Sequence, residues 1–97
     1  MNNIDINQIL THTDTNKFQS YEFIIQTAKE HIDYINKIIE AYEGVGVVRT
    51  ISAADGLIDI IVTQDYVHDM RDIIADINNN HCKAEILEFR KWIGDLY

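Results

Sequence analysis

Arg49 and Thr50 stand side by side in a β-branched run, shortly after Gly44 and Gly46. An arginine on a sheet face can clamp a carboxylate or phosphate through its planar fork. A glycine within a strand marks a bulge or lets a ligand approach the backbone closely. These four residues are the candidate site for a small anionic ligand. Arg49 has a second use, as the cross-strand partner of Glu22 or Asp59. The glycines do not form a phosphate cradle, because neither GxGxxG nor P-loop spacing occurs. A helix cap explains Gly44 and a turn explains Gly56.

Asp65, Asp69, Asp72 and Asp76 recur at steps of four, three and four, with Arg71 the one cation among them. On a helix this spacing aligns the four carboxylates along one stripe. Such a stripe is either a docking face for a basic protein partner or a solvated face that keeps the protein soluble. It lacks the looped oxygen cage that calcium requires.

His12, His31, His68 and His81 are scattered, and only His81 has a soft neighbour, Cys82. A zinc site needs three or four converging ligands, and adjacent residues usually point apart. As a nucleophile Cys82 would need a base in reach and an electropositive surround, yet Lys83 is the one local cation. We therefore assign no catalytic residue, metal or cofactor, and expect a protein that is not an enzyme.

A formal net charge of −8 over 97 residues argues against direct nucleic-acid binding, which needs a basic stripe to displace counterions. The same charge disfavours anionic membranes, and no apolar run approaches the roughly 20 residues of a membrane span. Met1 to Leu10 lack the basic and apolar blocks of a signal peptide, so a cytoplasmic location is expected. A single cysteine allows no internal disulfide.

The elements that must position these residues begin at about residue 19. Residues 1–18 are polar and read as a flexible or loosely docked lead-in. Tyr21, Phe23 and Ile25 alternate with polar neighbours in the period of a half-buried strand. Thr27 and Glu30 have the spacing of a capping box. Ile32, Ile35, Ile38, Ile39 and Tyr42 then form the stripe of an amphipathic helix, with Gly44 as its left-handed cap. The runs 45–51 and 57–62 flank the turn Ala54-Asp55-Gly56 and should pair as a hairpin. Asp65 is the expected N-cap of a second helix that buries Val67, Met70, Ile73, Ile74 and Ile77 and ends at Asn78 to Asn80. A last strand spans 82–89, and residues 90–97 form a tail with Trp92, Ile93 and Leu96 on one helical side.

Strand, helix, strand, strand, helix, strand is the order of an α+β, ferredoxin-like βαββαβ sandwich: a four-stranded antiparallel sheet with two helices on one face. The other face stays open. Ile24, Leu57 and Ile61, with Leu87 and Phe89 out of phase with Ala84 and Ile86, make it partly apolar, more than a half-solvated sheet requires. A homodimer or larger assembly through that face is the straightforward remedy.

Glu40-Ala41-Tyr42-Glu43-Gly44, Val48-Arg49-Thr50 and Gly56 at the head of the next strand carry a resemblance. On them, the stretch from Tyr21 to Phe89 resembles a family of small bacterial ferredoxin-like domains known only as a domain of unknown function. That resemblance implies the fold and supplies no catalytic residue. The layout is more distantly similar to ACT-type regulatory modules. The expected function is a small-molecule-binding or regulatory module that oligomerises through its open sheet face. The alternative is an acidic interaction or inhibitor module that uses the aspartate stripe.

Overall fold

A computed structural model describes residues 19–93. The expected tail position Leu96 and the lead-in over 1–18 lie outside them. The strands are β1 (Ser20–Gln26), β2 (Val47–Ser52), β3 (Leu57–Thr63) and β4 (Glu85–Trp92), and the helices are α1 (Ile32–Glu40) and α2 (Val67–Asn80). All neighbouring strands are antiparallel, in the order β2-β3-β1-β4. Each helix thus links two strands with a third strand between them, the split βαβ arrangement of a ferredoxin-like sandwich.

Period-two alternation sets the helix-facing side of the sheet: Tyr21, Phe23 and Ile25 of β1 lie beside Val62, Ile60 and Ile58 of β3. Onto them pack Ile35 and Ile39 of α1 and Val67, Met70, Ile74 and Ile77 of α2, all buried. Phe89 joins this core, stacked on Tyr21 with ring centroids 5.5 Å apart and tilted against Phe23 at 4.7 Å. Simple alternation puts Phe89 on the face opposite Ile86. A bulge where β1 passes from Ile24 to Ile25 shifts the register, so that Phe89 opposes Phe23 while Ile86 opposes Ile25, and both face the helices.

Several local expectations are corrected. Thr27 does not cap the first helix. Its hydroxyl donates to the Lys83 carbonyl at 2.5 Å and its backbone N–H to the Gly56 carbonyl at 2.8 Å. Competing partners at the end of the sheet therefore take the threonine, and a 3-10 turn, Lys29–His31, leads into α1. Asp65 likewise caps nothing; it sits in a second 3-10 turn, Gln64–Tyr66, ahead of α2. Tyr42 lies beyond the end of α1 and is exposed. The last strand runs to Trp92, because Arg90 and Trp92 continue the pairing with Glu22 and Ser20.

Gly56 has φ +69°, and a Cβ there would collide with the Thr27 carbonyl. Gly46 precedes β2, and the close approach at its α-carbon is made from within the chain. A Cβ would meet Met70 Cε and Val62 Cγ1 at 2.9 Å.

Candidate functional site

On the sheet face away from the helices, register places one charged residue of each strand in a single row. Arg49 of β2 opposes Asp59 of β3, Glu22 of β1 opposes Arg90 of β4, and Asp59 and Glu22 are diagonal neighbours across the central pair. The row therefore reads arginine, aspartate, glutamate, arginine from edge to edge.

Arg49 grips Asp59 with both arms of its fork: Nε donates to Oδ1 at 3.2 Å and Nη2 to Oδ2 at 2.8 Å. The same Nη2 lies 3.9 Å from Glu22 Oε2. Arg90 Nε donates to Glu22 Oε1 at 2.9 Å, and its Nη1 reaches Glu88 at 3.3 Å. The edge strands stand roughly 14 Å apart at the usual strand spacing. Arg49 nevertheless passes over β3 to bring its guanidinium 5.9 Å from the ring centre of Trp92, which comes from the far edge. Two side chains from opposite edges thus meet above the carboxylates. Beneath them Asp59 is 0% exposed and Glu22 is 5% exposed.

The two acids respond in opposite directions. Burial pushes the Glu22 carboxyl above its ordinary value, the neighbouring Asp59 carboxyl pushes the same way, and Arg90 only partly opposes them. Burial also acts to raise Asp59, but the Arg49 hydrogen bonds, the influence of the neighbouring Glu22 and both arginine charges outweigh it and hold Asp59 below the usual carboxylate range. Arg90 is raised by its bond to Glu22.

Arg49 and Thr50 line one cavity of about 340 Å³ together with Ile51 and Asp59. Gly44 and Gly46 line another, of about 230 Å³, with Val47, Ile61 and Thr63 among its walls. The four candidate ligand-binding residues are thus divided between two concavities. The competing reading of Arg49 as a cross-strand partner of Asp59 holds.

Asp65, Asp69, Asp72 and Asp76 are all exposed. Asp72 accepts from Arg71 at 3.3 Å, and Asp76 accepts from Asn80 at 2.6 Å. His81 turns from Cys82 to Tyr34, whose hydroxyl is 2.9 Å from Nδ1, with Nε2 3.6 Å from Asp76. Burial pushes the Cys82 thiol up, against a smaller lowering by Thr27, so no activated thiol–imidazole pair forms. No cluster of three metal-ligating side chains occurs among the described residues, and no helix among them is long and apolar enough to cross a membrane.

Arg90 and Trp92 were not legible as part of the site, because a helical reading of the tail hides their place in β4. The available signal was the in-phase run Glu88, Arg90, Trp92, which alternates as a strand does. Sheet order, helix placement and roofed row define an α+β ferredoxin-like domain with a charged sheet face. The family model described as "Domain of unknown function (DUF4911)" matches residues 25–80, more than half of the chain, and the chain belongs to that family. The match includes Arg49, Thr50, Asp59 and the aspartate stripe, and stops short of Glu22, Arg90 and Trp92. No curated protein and no solved structure matches the chain.

Proposed function

We propose that the protein is a cytoplasmic, non-enzymatic binding module that holds a small anionic molecule beside Arg49 and Thr50 and assembles with a second copy through its outer sheet face. The observation that carries the ligand reading is the cavity of about 340 Å³ walled by Arg49, Thr50, Ile51 and Asp59. Its size falls within the ~300–1,000 Å³ range of small-molecule sites. A guanidinium at the wall supplies the charge, and an incoming carboxylate or phosphate competes with Asp59 for its fork. Val47, 60% exposed, and Ile51, 51% exposed, give the rim an apolar surface suited to a second copy.

Native mass spectrometry of the gently purified protein tests both parts. A dimer or larger assembly carrying a discrete anionic adduct supports the reading, and Arg49→Ala should lose the adduct. A bare monomer overturns it. The exposure of the aspartate stripe favours one other reading, a basic protein partner docked on α2, whose complex would weaken steeply with salt.

A further inference from the structure

Tyr34 of α1 and His81, which closes α2, meet on the helical layer, across the sheet from the Arg49 row. The Tyr34 hydroxyl is 2.9 Å from His81 Nδ1, and Asp76 Oδ2 stands 3.6 Å from Nε2, within ion-pair range. Asp76 is itself held by Asn80, whose Nδ2 donates to Oδ1 at 2.6 Å. That acidic neighbour favours the proton on Nε2 and leaves the Nδ1 lone pair to accept from the phenol. The backbone N–H groups of His81 and Cys82 both donate to the Ile77 carbonyl, at 2.9 and 3.0 Å, which anchors His81 at the C-terminal end of α2. The negative end of the helix dipole and Asp76 thus both lie beside the imidazole, where positive charge develops on proton transfer. Phenol, base and acid stand in the order that activates a nucleophile.

We infer that Tyr34 is a modification site: its phenol accepts an acyl group from an activated ester, with His81 as the general base. The Tyr34 O–H proton passes to His81 Nδ1 as the oxygen bonds to the acyl carbon. The leaving group of the ester departs with the electron pair of its bond and takes the proton from the imidazolium. The products are an aryl ester on the chain and one free leaving group, a single event per chain rather than turnover. Acylation also removes the phenol donor from the α1–α2 contact. Tyr34 is 46% exposed, so a donor reaches it. Asp33, Asp72 and Asp76, exposed on the same two helices, repel the anionic donors of phosphoryl groups and leave neutral acyl esters as the matching class. Two other tyrosines supply the comparison. Tyr42 is 45% exposed and Tyr66 40%, yet among the described residues no imidazole bonds to the hydroxyl of either.

The probe is p-nitrophenyl acetate, offered to the full chain near neutral pH. Nitrophenolate release is followed by absorbance, and the acetyl group is located by peptide mass spectrometry. Tyr34 should take the acetyl roughly 100-fold faster than Tyr42 and Tyr66, the lower end of what a positioned base supplies. His81→Asn keeps a hydrogen-bonding partner for the phenol and removes the base. In that variant Tyr34 should fall to the rate of the other two, and Tyr34→Phe should lose the fast phase altogether. Acetylation of Tyr34, Tyr42 and Tyr66 within a few-fold of one another in the wild type overturns the inference, and that comparison needs no variant to fold. A fast Tyr34 undiminished in His81→Asn, with the circular dichroism of the wild type, overturns it as well, because the base would then have no part in the reaction.

Discussion

Asp59 concentrates the electrostatics of the molecule in one side chain. A carboxylate without exposure survives on a sheet face only when a well-aligned partner replaces its water, and Arg49 does so with two hydrogen bonds. Asp59→Ala should destabilise the fold by about 2–3 kcal/mol in urea unfolding, the usual penalty for losing a charged hydrogen-bond partner, discounted because Arg49 reaches solvent. The two acids also shape stability against pH in opposite ways. Asp59 is held below its unfolded value, so its contribution is present above that value and is lost as pH falls through the folded one. Glu22 is raised, so its contribution is complete below its unfolded value and is lost as pH rises through the folded one. Stability should peak between the two limbs, and Glu22→Gln should remove the upper limb alone; a monotonic profile for the wild type would refute this. Tyr21 offers a separate check. Its hydroxyl is buried with no hydrogen-bond partner among the described residues. Such a group costs about 1–3 kcal/mol, so Tyr21→Phe should leave the unfolding midpoint unchanged or raise it.

At the scale of elements, the parts of the fold that follow from period and turn chemistry were legible in the sequence. Tyr21, Phe23 and Ile25 face the helices as their alternation requires, and Ile35 and Ile39 lie on the buried stripe of α1. The Asp55-Gly56 hairpin joins β2 to β3. What failed were local signals whose groups found better partners through tertiary contacts. Thr27 spends its hydroxyl on Lys83, and the bulge beside Ile24 moves Phe89 to the core by a register change that no single strand encodes. The site was half legible for the same reason. Arg49 stood out as a charge in an apolar run, but the row exists only once four strands are aligned. Two glycines separate conformation from packing. Gly44 (φ +79°) faces open space, whereas Gly56 (φ +69°) abuts the Thr27 carbonyl. Gly44→Ala should cost about 1–2 kcal/mol for its left-handed backbone alone. Gly56→Ala should cost clearly more, since the backbone of the first strand end must move as well. Equal losses in thermal unfolding would mean that the close approach at Gly56 carries no weight.

For the whole molecule, size and charge pull in opposite directions. A chain of 97 residues buries only about two-thirds of the surface it exposes when unfolded, so covering an apolar rim brings a comparatively large gain. A net charge of −8 opposes bringing two copies together. The outer sheet face offers a route between these constraints. Its central charges are already matched among themselves, while Val47 and Ile51 give the β2 side an uncharged rim. The acidic stripe of α2 lies across the sheet, away from that contact. Assembly through the rim should therefore depend on apolar contact rather than on ion pairs, and should strengthen as salt screens the overall repulsion. Ile51→Asp tests this directly, because Ile51 is half exposed and its replacement removes nothing from the core. A two-fold contact would place the new charge in the interface twice. The variant should remain monomeric in native mass spectrometry under conditions where the wild type assembles, while its unfolding temperature at low concentration stays within a few degrees. Assembly that survives Ile51→Asp would exclude the β2 rim and turn attention to the far edge, where Leu87 stands exposed beside the bulge.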